Sequence, residues 1–146
     1  MIVRRARFED LPAVACIAGR SYAVAFAGIL EPRALRARDA VFFRRRLRRA
    51  WKRLTVAVAD GRVIGFALAT RGHLDMLFVE PRRIGRGAGR RLLRACERRG
   101  VRTLECFRDN LQARRFYERA GWRLARSYAR DFIGRRRDFV FYVRAA

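Results

Sequence analysis

Three glycines between an apolar strand and a helix form the first pattern that can do chemistry. The run is Val79-Glu80-Pro81-Arg82-Arg83-Ile84-Gly85-Arg86-Gly87-Ala88-Gly89, and it continues to Leu92-Leu93. Such a turn points several backbone N–H groups and the positive end of a helix dipole at one place, which suits a pyrophosphate. Glycine is favoured because a Cβ would hold the phosphates away from the amides. Taken alone, such spacing is more often found in a plain loop, and it is neither a Walker loop nor a convincing dinucleotide fingerprint.

A helix expected over 110–120 carries the second pattern, N-L-Q-A-R-R-F-Y-E-R-A-G-W at positions 110–122. Ala113, Phe116, Tyr117 and Ala120 share one face of this helix, so Tyr117 points toward the sheet rather than toward water. A tyrosine at such a position is either a core aromatic with a locally satisfied hydroxyl or a proton donor to a ligand.

Together the two patterns resemble the GNAT superfamily of acyl-CoA-dependent N-acyltransferases. That family carries V-x-P-x-x-(Q/R)-G-x-G-x-G-x-x-L-L followed by N-x-x-A-x-x-F-Y-x-x-x-G-(F/W), and this chain has both in that order. The resemblance implies an enzyme that moves an acetyl group from acetyl-CoA, its cosubstrate, to a primary amine without a metal. The acceptor is expected to be a small molecule or, alternatively, a protein N-terminus.

The glycine turn is implied to hold the pyrophosphate of coenzyme A through the backbone amides of Gly85, Arg86, Gly87, Ala88 and Gly89. The chain departs from the family at Ile84, which stands where the usual residue is Gln or Arg. A side-chain contact to the phosphates is lost at that position and is left to Arg83 or Arg86.

The pantetheine arm is implied to lie along Leu77, Phe78 and Val79, in a gap between this strand and the strand at 104–107. The second pattern is implied to complete the coenzyme site with Asn110, Ala113 and Phe116. Asn110 is equally suited to be a helix N-cap, and the two roles are compatible.

Acetyl transfer from a thioester to an amine needs a neutral amine, a donor to the carbonyl oxygen and a proton for the leaving thiolate. The resemblance assigns the proton to Tyr117, since a phenol is protonated at neutral pH. A free backbone N–H near Phe78 or Val79 would polarise the carbonyl. Three bases stay open: His73, which is the only histidine; Asp75, two residues further along the same strand; and water.

The acceptor site in this family is built by the segment before the Asp60-Gly61 turn. Here that segment supplies the wall candidates Tyr22, Phe26, Glu31, Phe42, Phe43 and Trp51. Their apolar character favours a small or hydrophobic amine, and the positive surface disfavours a polycationic acceptor.

The net charge of +23 raises a second function class. Lysine and arginine number 36 against 13 acidic residues, but Lys52 is the only lysine, which indicates a general preference for arginine rather than one binding surface. The alternative to the enzyme is therefore a non-catalytic, arginine-rich module of the same fold that binds RNA or the ribosome.

The elements that must position these residues form, we expect, one domain over residues 1–146. Helices are expected over 11–25, 33–51 and 110–120, and a further helix runs from the glycine turn to Gly100. Strands are expected over 2–8, 54–59, 63–70, 74–79, 102–107, 122–128 and 139–143, with a hairpin at Asp60-Gly61.

This order predicts an α+β protein with a mixed sheet. The resemblance implies the GNAT fold: a mostly antiparallel seven-stranded sheet, splayed between strands 4 and 5, with about four helices. No apolar run approaches the length of a membrane helix, and no secretion signal opens the chain. We expect a cytoplasmic protein without membrane attachment, as a monomer or homodimer.

Overall fold

The computed structural model describes residues 1–146 as seven strands and five α-helices. The strands are β1 (Ile2–Arg5), β2 (Leu54–Ala59), β3 (Arg62–Thr70), β4 (His73–Val79), β5 (Thr103–Phe107), β6 (Arg123–Phe132) and β7 (Arg135–Val143). The helices are α1 (Leu11–Ala25), α2 (Pro32–Ala37), α3 (Ala40–Arg48), α4 (Ala88–Arg98) and α5 (Leu111–Arg119). No helix combines the length and the apolar composition that crossing a bilayer requires.

All seven strands form one sheet in the order β1-β2-β3-β4-β5-β7-β6. Every neighbouring pair is antiparallel except β4 and β5, which are parallel. The hairpin predicted at Asp60-Gly61 joins β2 to β3, and both residues have positive φ (52° and 73°), as a type I′ turn requires. The predicted mixed, mostly antiparallel seven-stranded sheet is confirmed.

Helices cover both faces of the sheet. On the front face, α1 and α3 pack their apolar sides against β2 and β3 through Val14, Ile17, Phe43, Leu47, Val56 and Phe66. On the back face, α4 and α5 pack against β3, β4 and β5 through Leu92, Leu93, Cys96, Leu104 and Tyr117. Burying these two apolar surfaces is what fixes the helices, and with them the two sequence patterns, against the sheet.

The prediction of one helix over 33–51 is wrong. The backbone leaves the helical region at Arg38, and Asp39 starts α3 as an N-cap whose side chain accepts a hydrogen bond from the N–H of Phe42 at 2.9 Å. An aspartate cap stabilises a helix start, so the chain forms two helices and the total becomes five instead of about four.

The last two strands are longer than predicted. They continue to a turn at Ile133-Gly134, where both residues have positive φ (49° and 77°). The arginine-rich ends were not expected to be strands, because they lack apolar alternation. Backbone pairing between β6 and β7 and stacking of Arg130 on the ring of Phe139 at 4.2 Å stabilise them instead.

Candidate functional site

A cavity opens where β4 and β5 separate. The two strands pair only at His73 with Thr103 and Leu74 with Leu104, so the remaining part of β4 has no partner on this side. The gap forms a cavity of about 360 Å³ whose walls come from α1, the α2–α3 segment, β4, β5, α5 and the β6–β7 hairpin. We call it the splay cavity. The predicted splay between strands 4 and 5 is confirmed.

Tyr117 lies in the wall of the splay cavity. Its side chain is part of the back core, and only 7% of the residue is exposed. The hydroxyl makes no hydrogen bond within the protein, yet no fully buried side-chain polar atom lacks a partner, so the hydroxyl reaches the cavity surface. Burial raises the pKa of Tyr117 above its ordinary value, which keeps the phenol protonated at neutral pH.

A β-bulge at Asp75 shapes the opposite wall. Met76 pairs with Leu68 and Leu74 pairs with Ala69, so Asp75 is an extra residue in β4 with no counterpart in β3. A bulge bends the strand and breaks its regular alternation of side chains. The bend occurs at the point where β4 parts from β5.

The bulge decides which side chains of β4 face the front. Leu74 and Leu77 both pack in the back core although they are three residues apart, a spacing that regular alternation would place on opposite faces. His73 and Asp75 flank Leu74 and therefore both lie on the front face. Both line the splay cavity.

His73 and Asp75 are held by threonines of the neighbouring strands. His73 Nδ1 lies 2.8 Å from Thr103 Oγ1, and Asp75 Oδ2 accepts a hydrogen bond from Thr70 Oγ1 at 2.6 Å. The imidazole ring lies nearly parallel to the ring of Phe141, at an interplanar angle of 18°. These contacts fix two titratable groups in the same wall.

The glycine turn follows directly after β4. Gly85 and Gly87 have positive φ (88° and 91°), and a Cβ built on either would meet no atom within 4 Å. Glycine is therefore required here by the backbone conformation, and the space above the turn is open. Gly87 is the N-cap of α4 and provides no side chain to cap it.

The first turn of α4 leaves backbone donors free beside those glycines. The first backbone hydrogen bond of the helix runs from Arg91 N to Gly87 O, so the N–H groups of Ala88, Gly89 and Arg90 have no partner within the helix. Arg86 and Arg90 are exposed and form no ion pair. Free amides, a helix N-terminus and nearby guanidinium groups together fit the pyrophosphate of a coenzyme.

The structure brings most of the predicted site residues together. Those that line the splay cavity are Tyr22, Phe26, His73, Asp75, Leu77, Phe78, Asn110, Ala113 and Tyr117, together with Phe42 and Phe43. Those at or against the glycine turn are Val79, Ile84, Gly85, Arg86, Gly87, Ala88, Gly89 and Phe116. The ring of Phe116 lies 3.4 Å from the position of a Cβ on Gly89, which joins the two sequence patterns in space.

Glu31 and Trp51 lie outside the splay cavity. The Glu31 carboxylate accepts hydrogen bonds from Arg137 and Arg135, and the bond from Arg137 lowers the pKa of Glu31 to about 2. The Trp51 ring packs edge-on against Phe8 at a centroid distance of 5.8 Å. One residue is occupied by an ion pair and the other packs beside the front core.

Glu105 is a charged wall residue that the sequence did not suggest. Burial acts to raise the pKa of Glu105, but hydrogen bonds from Arg130 and Tyr128 outweigh it and hold the pKa below its ordinary value. Burial and the hydrogen bond to Glu105 raise the pKa of Tyr128 to about 12. A glutamate inside the apolar strand Thr103–Phe107 was the available signal, because alternation places it on the same face as Thr103.

Arg38 and Arg46 were missed as well. Both line the cavity from the α2–α3 segment. Among 35 arginines, no local feature of the sequence distinguishes these two from their neighbours. Arg38 lies at the break between α2 and α3 and Arg46 lies on α3, so their positions depend on a break that apolar spacing did not predict.

Comparisons with known proteins identify a family and a shared fold. The family model described as an acetyltransferase (GNAT) domain matches residues 33–132. No curated protein matches the sequence. A GCN5-related N-acetyltransferase from Rhodopseudomonas palustris is similar in structure, with a TM-score of 0.80, 24% identity and coverage of 99% of this chain and 95% of that one.

Two further solved structures share the fold. YjaB from Escherichia coli superposes with a TM-score of 0.76 at 24% identity, and the match covers 98% of this chain and 97% of YjaB. The PaiA N-acetyltransferase from Thermoplasma acidophilum, solved in complex with coenzyme A, has a TM-score of 0.76, 20% identity and coverage of 99% and 98%.

Proposed function

Because this chain belongs to the GNAT acetyltransferase family, we propose that it transfers an acetyl group from acetyl-CoA to a primary amine of a small molecule, with Tyr117 as general acid. The observation that carries the proposal is the Tyr117 hydroxyl, which has no partner in the protein and faces the splay cavity. When bound, acetyl-CoA supplies an activated acyl group and a thiolate leaving group.

The glycine turn and the start of α4 would bind the pyrophosphate. The free N–H groups of Ala88, Gly89 and Arg90 support this role, since charge-assisted hydrogen bonds to backbone amides are strong. Ile84 is 52% exposed and its side chain offers no polar group, whereas Arg86 is free to contact a phosphate beside it. Coenzyme A in the similar PaiA structure is consistent with this assignment.

The unpaired edge of β4 would hold the pantetheine arm and polarise the thioester carbonyl. The N–H of Glu80 donates to Ile64 O of β3 at 2.7 Å. N–H groups alternate along a strand, so the N–H of Val79 points to the other edge, into the gap. Of the two donors considered from the sequence, Val79 is therefore the one we assign to the carbonyl oxygen.

Asn110 would serve both of its expected roles. Its Oδ1 accepts a hydrogen bond from Ala113 N at 3.3 Å, which caps α5. Its amide NH₂ group has no partner in the protein, and the residue lines the splay cavity. The cap therefore fixes the side chain while the NH₂ group remains available to the coenzyme arm.

His73 is the base that we assign. The Thr103 hydroxyl lies 3.5 Å from Gly72 O, an acceptor, so we place the hydroxyl proton there and let His73 Nδ1–H donate to Thr103. This tautomer leaves Nε2 as the acceptor for a proton from the ammonium group. Asp75 is held by Thr70 in the same wall and would stabilise the imidazolium that forms.

Acetyl-CoA binding tests the proposal. At an acetyl-CoA concentration about 100 times its Kd, ligand binding stabilises the folded protein by about 2.7 kcal/mol. This raises Tm by about 5–10 °C in a chain of this size. Gly87→Ala is expected to weaken acetyl-CoA binding by at least about 10-fold in calorimetry, because the new Cβ projects into the open space above the turn.

Gly61→Ala is the matched control, since Gly61 also has positive φ and open space around its Cβ position but lies in the β2–β3 hairpin. Both variants carry the strain of a left-handed alanine, about 1–2 kcal/mol. Equal acetyl-CoA affinity in the two variants would remove the turn from the binding site. No response of the wild type to acetyl-CoA would favour the RNA-binding module.

A further inference from the structure

Two arginines of the splay cavity lack a counter-ion. Arg130 forms an ion pair with Glu105, and Thr70 donates a hydrogen bond to Asp75. Arg38 and Arg46, by contrast, have no carboxylate within ion-pair distance. The positive charge of the α2–α3 side of the cavity is therefore not neutralised within the protein.

Both arginines line the cavity, and one of them is held there by an aromatic ring. The Arg38 guanidinium stacks on the ring of Phe42 at 4.1 Å, which fixes its plane and leaves its N–H groups free at the edges. Arg46 lies on the cavity side of α3, whereas Arg45, its neighbour on the same helix, does not line the cavity.

Tyr22 adds an uncharged donor at the same place. Its hydroxyl has no partner in the protein, and its ring is fixed against Phe26 and Phe43 at centroid distances of 4.7 and 5.0 Å. Burial raises the pKa of Tyr22, and the positive charges of Arg38 and Arg46 act in the opposite direction. Two guanidinium groups and a phenol O–H provide hydrogen-bond donors for an anion. The two positive charges would repel an ammonium group.

We propose that the acceptor amine also carries a carboxylate, which Arg38, Arg46 and Tyr22 bind while the amino group faces His73. This inference rests on the acetyltransferase function proposed above. The apolar rings of Phe26, Phe78 and Phe107 in the remaining wall fit an aromatic or large aliphatic side chain. A zwitterionic amino carboxylate also avoids the repulsion that a net charge of +23 exerts on a simple ammonium ion.

Matched acceptor pairs test the proposal. The pairs are phenylalanine with 2-phenylethylamine and leucine with 3-methylbutylamine, which differ within a pair only by the carboxylate. At saturating acetyl-CoA, kcat/KM is expected to be at least about 10-fold higher for the amino acid, the factor of one charge-assisted hydrogen bond. Arg46→Gln and Arg38→Gln are each expected to reduce this ratio by about 10-fold, whereas Arg45→Gln leaves it unchanged.

A binding measurement separates this inference from the enzyme function. Calorimetry with 3-phenylpropanoate, which has a carboxylate and no amine, is expected to show binding that Arg46→Gln abolishes and Arg45→Gln retains. Equal acetylation of both members of each pair, without 3-phenylpropanoate binding, would overturn the carboxylate site and leave the acetyltransferase function standing. Binding of 3-phenylpropanoate without acetylation of any acceptor would support the carboxylate site and count against the acetyltransferase function.

Discussion

Removal of the Tyr117 hydroxyl separates its catalytic role from its structural one. If Tyr117 protonates the leaving thiolate, Tyr117→Phe is expected to lower kcat by about 100-fold or more, the usual scale of acid catalysis. The hydroxyl makes no hydrogen bond within the protein, so the free energy of unfolding should change by less than about 0.5 kcal/mol. Acetyl-CoA affinity should be close to that of the wild type, because the ring remains.

Tyr142→Phe is the control, because the two tyrosines share the back core with ring centroids 6.4 Å apart. The Tyr142 hydroxyl donates to Glu118 and accepts a hydrogen bond from Arg114 Nε at 3.0 Å, and the residue does not line the cavity. Water can replace the hydroxyl as the partner of Glu118 and Arg114, so the loss of the two hydrogen bonds should lower the free energy of unfolding by about 1–2 kcal/mol. The melting temperature should fall by about 2–8 °C while kcat is unchanged.

Thiol release measured at saturating acetyl-CoA, together with thermal unfolding, distinguishes the two variants. The structure predicts a kinetic defect in Tyr117→Phe without a stability defect, and the reverse in Tyr142→Phe. The pH profile gives a second criterion. The acid form of Tyr117 is lost only as pH rises through a pKa that burial holds above 10, so kcat should show no basic limb below that pH. Wild-type turnover in Tyr117→Phe would refute its role as the acid.

The remaining predictions concern protonation. His73→Ala should lower kcat/KM by about 100-fold or more, the usual contribution of a general base; an unchanged kcat/KM would favour water or Asp75 as the base. Glu31 titrates from about 4.5 unfolded to about 2 in the folded protein, so its ion pair stabilises the fold above pH 4.5, and this stabilisation is lost as the pH falls toward 2. The stability difference between wild type and Glu31→Gln, followed by urea unfolding, should therefore shrink across that interval, and a constant difference would contradict the pair.

Local signals in the sequence were sufficient for the hairpin, the glycine turn and α5. The Asp60-Gly61 pair is a turn signal by itself, and the glycine run that ends near Gly87 precedes a helix. The inward position of Tyr117 follows from the periodicity of one helix. In each case the physical cause lies within a few residues. These elements carry most of the proposed coenzyme site.

Features set by distant partners could not be predicted. The bulge at Asp75 depends on how β4 pairs with Leu68 and Ala69, and the Glu31 pair with Arg137 joins residues 106 positions apart. The break before Asp39 differs from these features, because its cause is local: an aspartate three residues before Phe42 is a recognisable N-cap signal, and the prediction of one helix overlooked it. Apolar spacing alone does not distinguish one helix from two that pack on the same core.

The single parallel junction in the sheet explains why both sequence patterns meet at one cavity. β4 and β5 pair only near their first residues and diverge toward their carboxyl ends. Each strand is followed by a helix, so the N-termini of α4 and α5 both lie at the open end of the wedge. Two helix N-termini at the carboxyl ends of parallel strands concentrate free N–H groups and positive potential there, which favours an anionic ligand. If β5 ran antiparallel to β4, its carboxyl end and the start of α5 would lie at the opposite end of the strands, and Asn110 would be separated from the glycine turn.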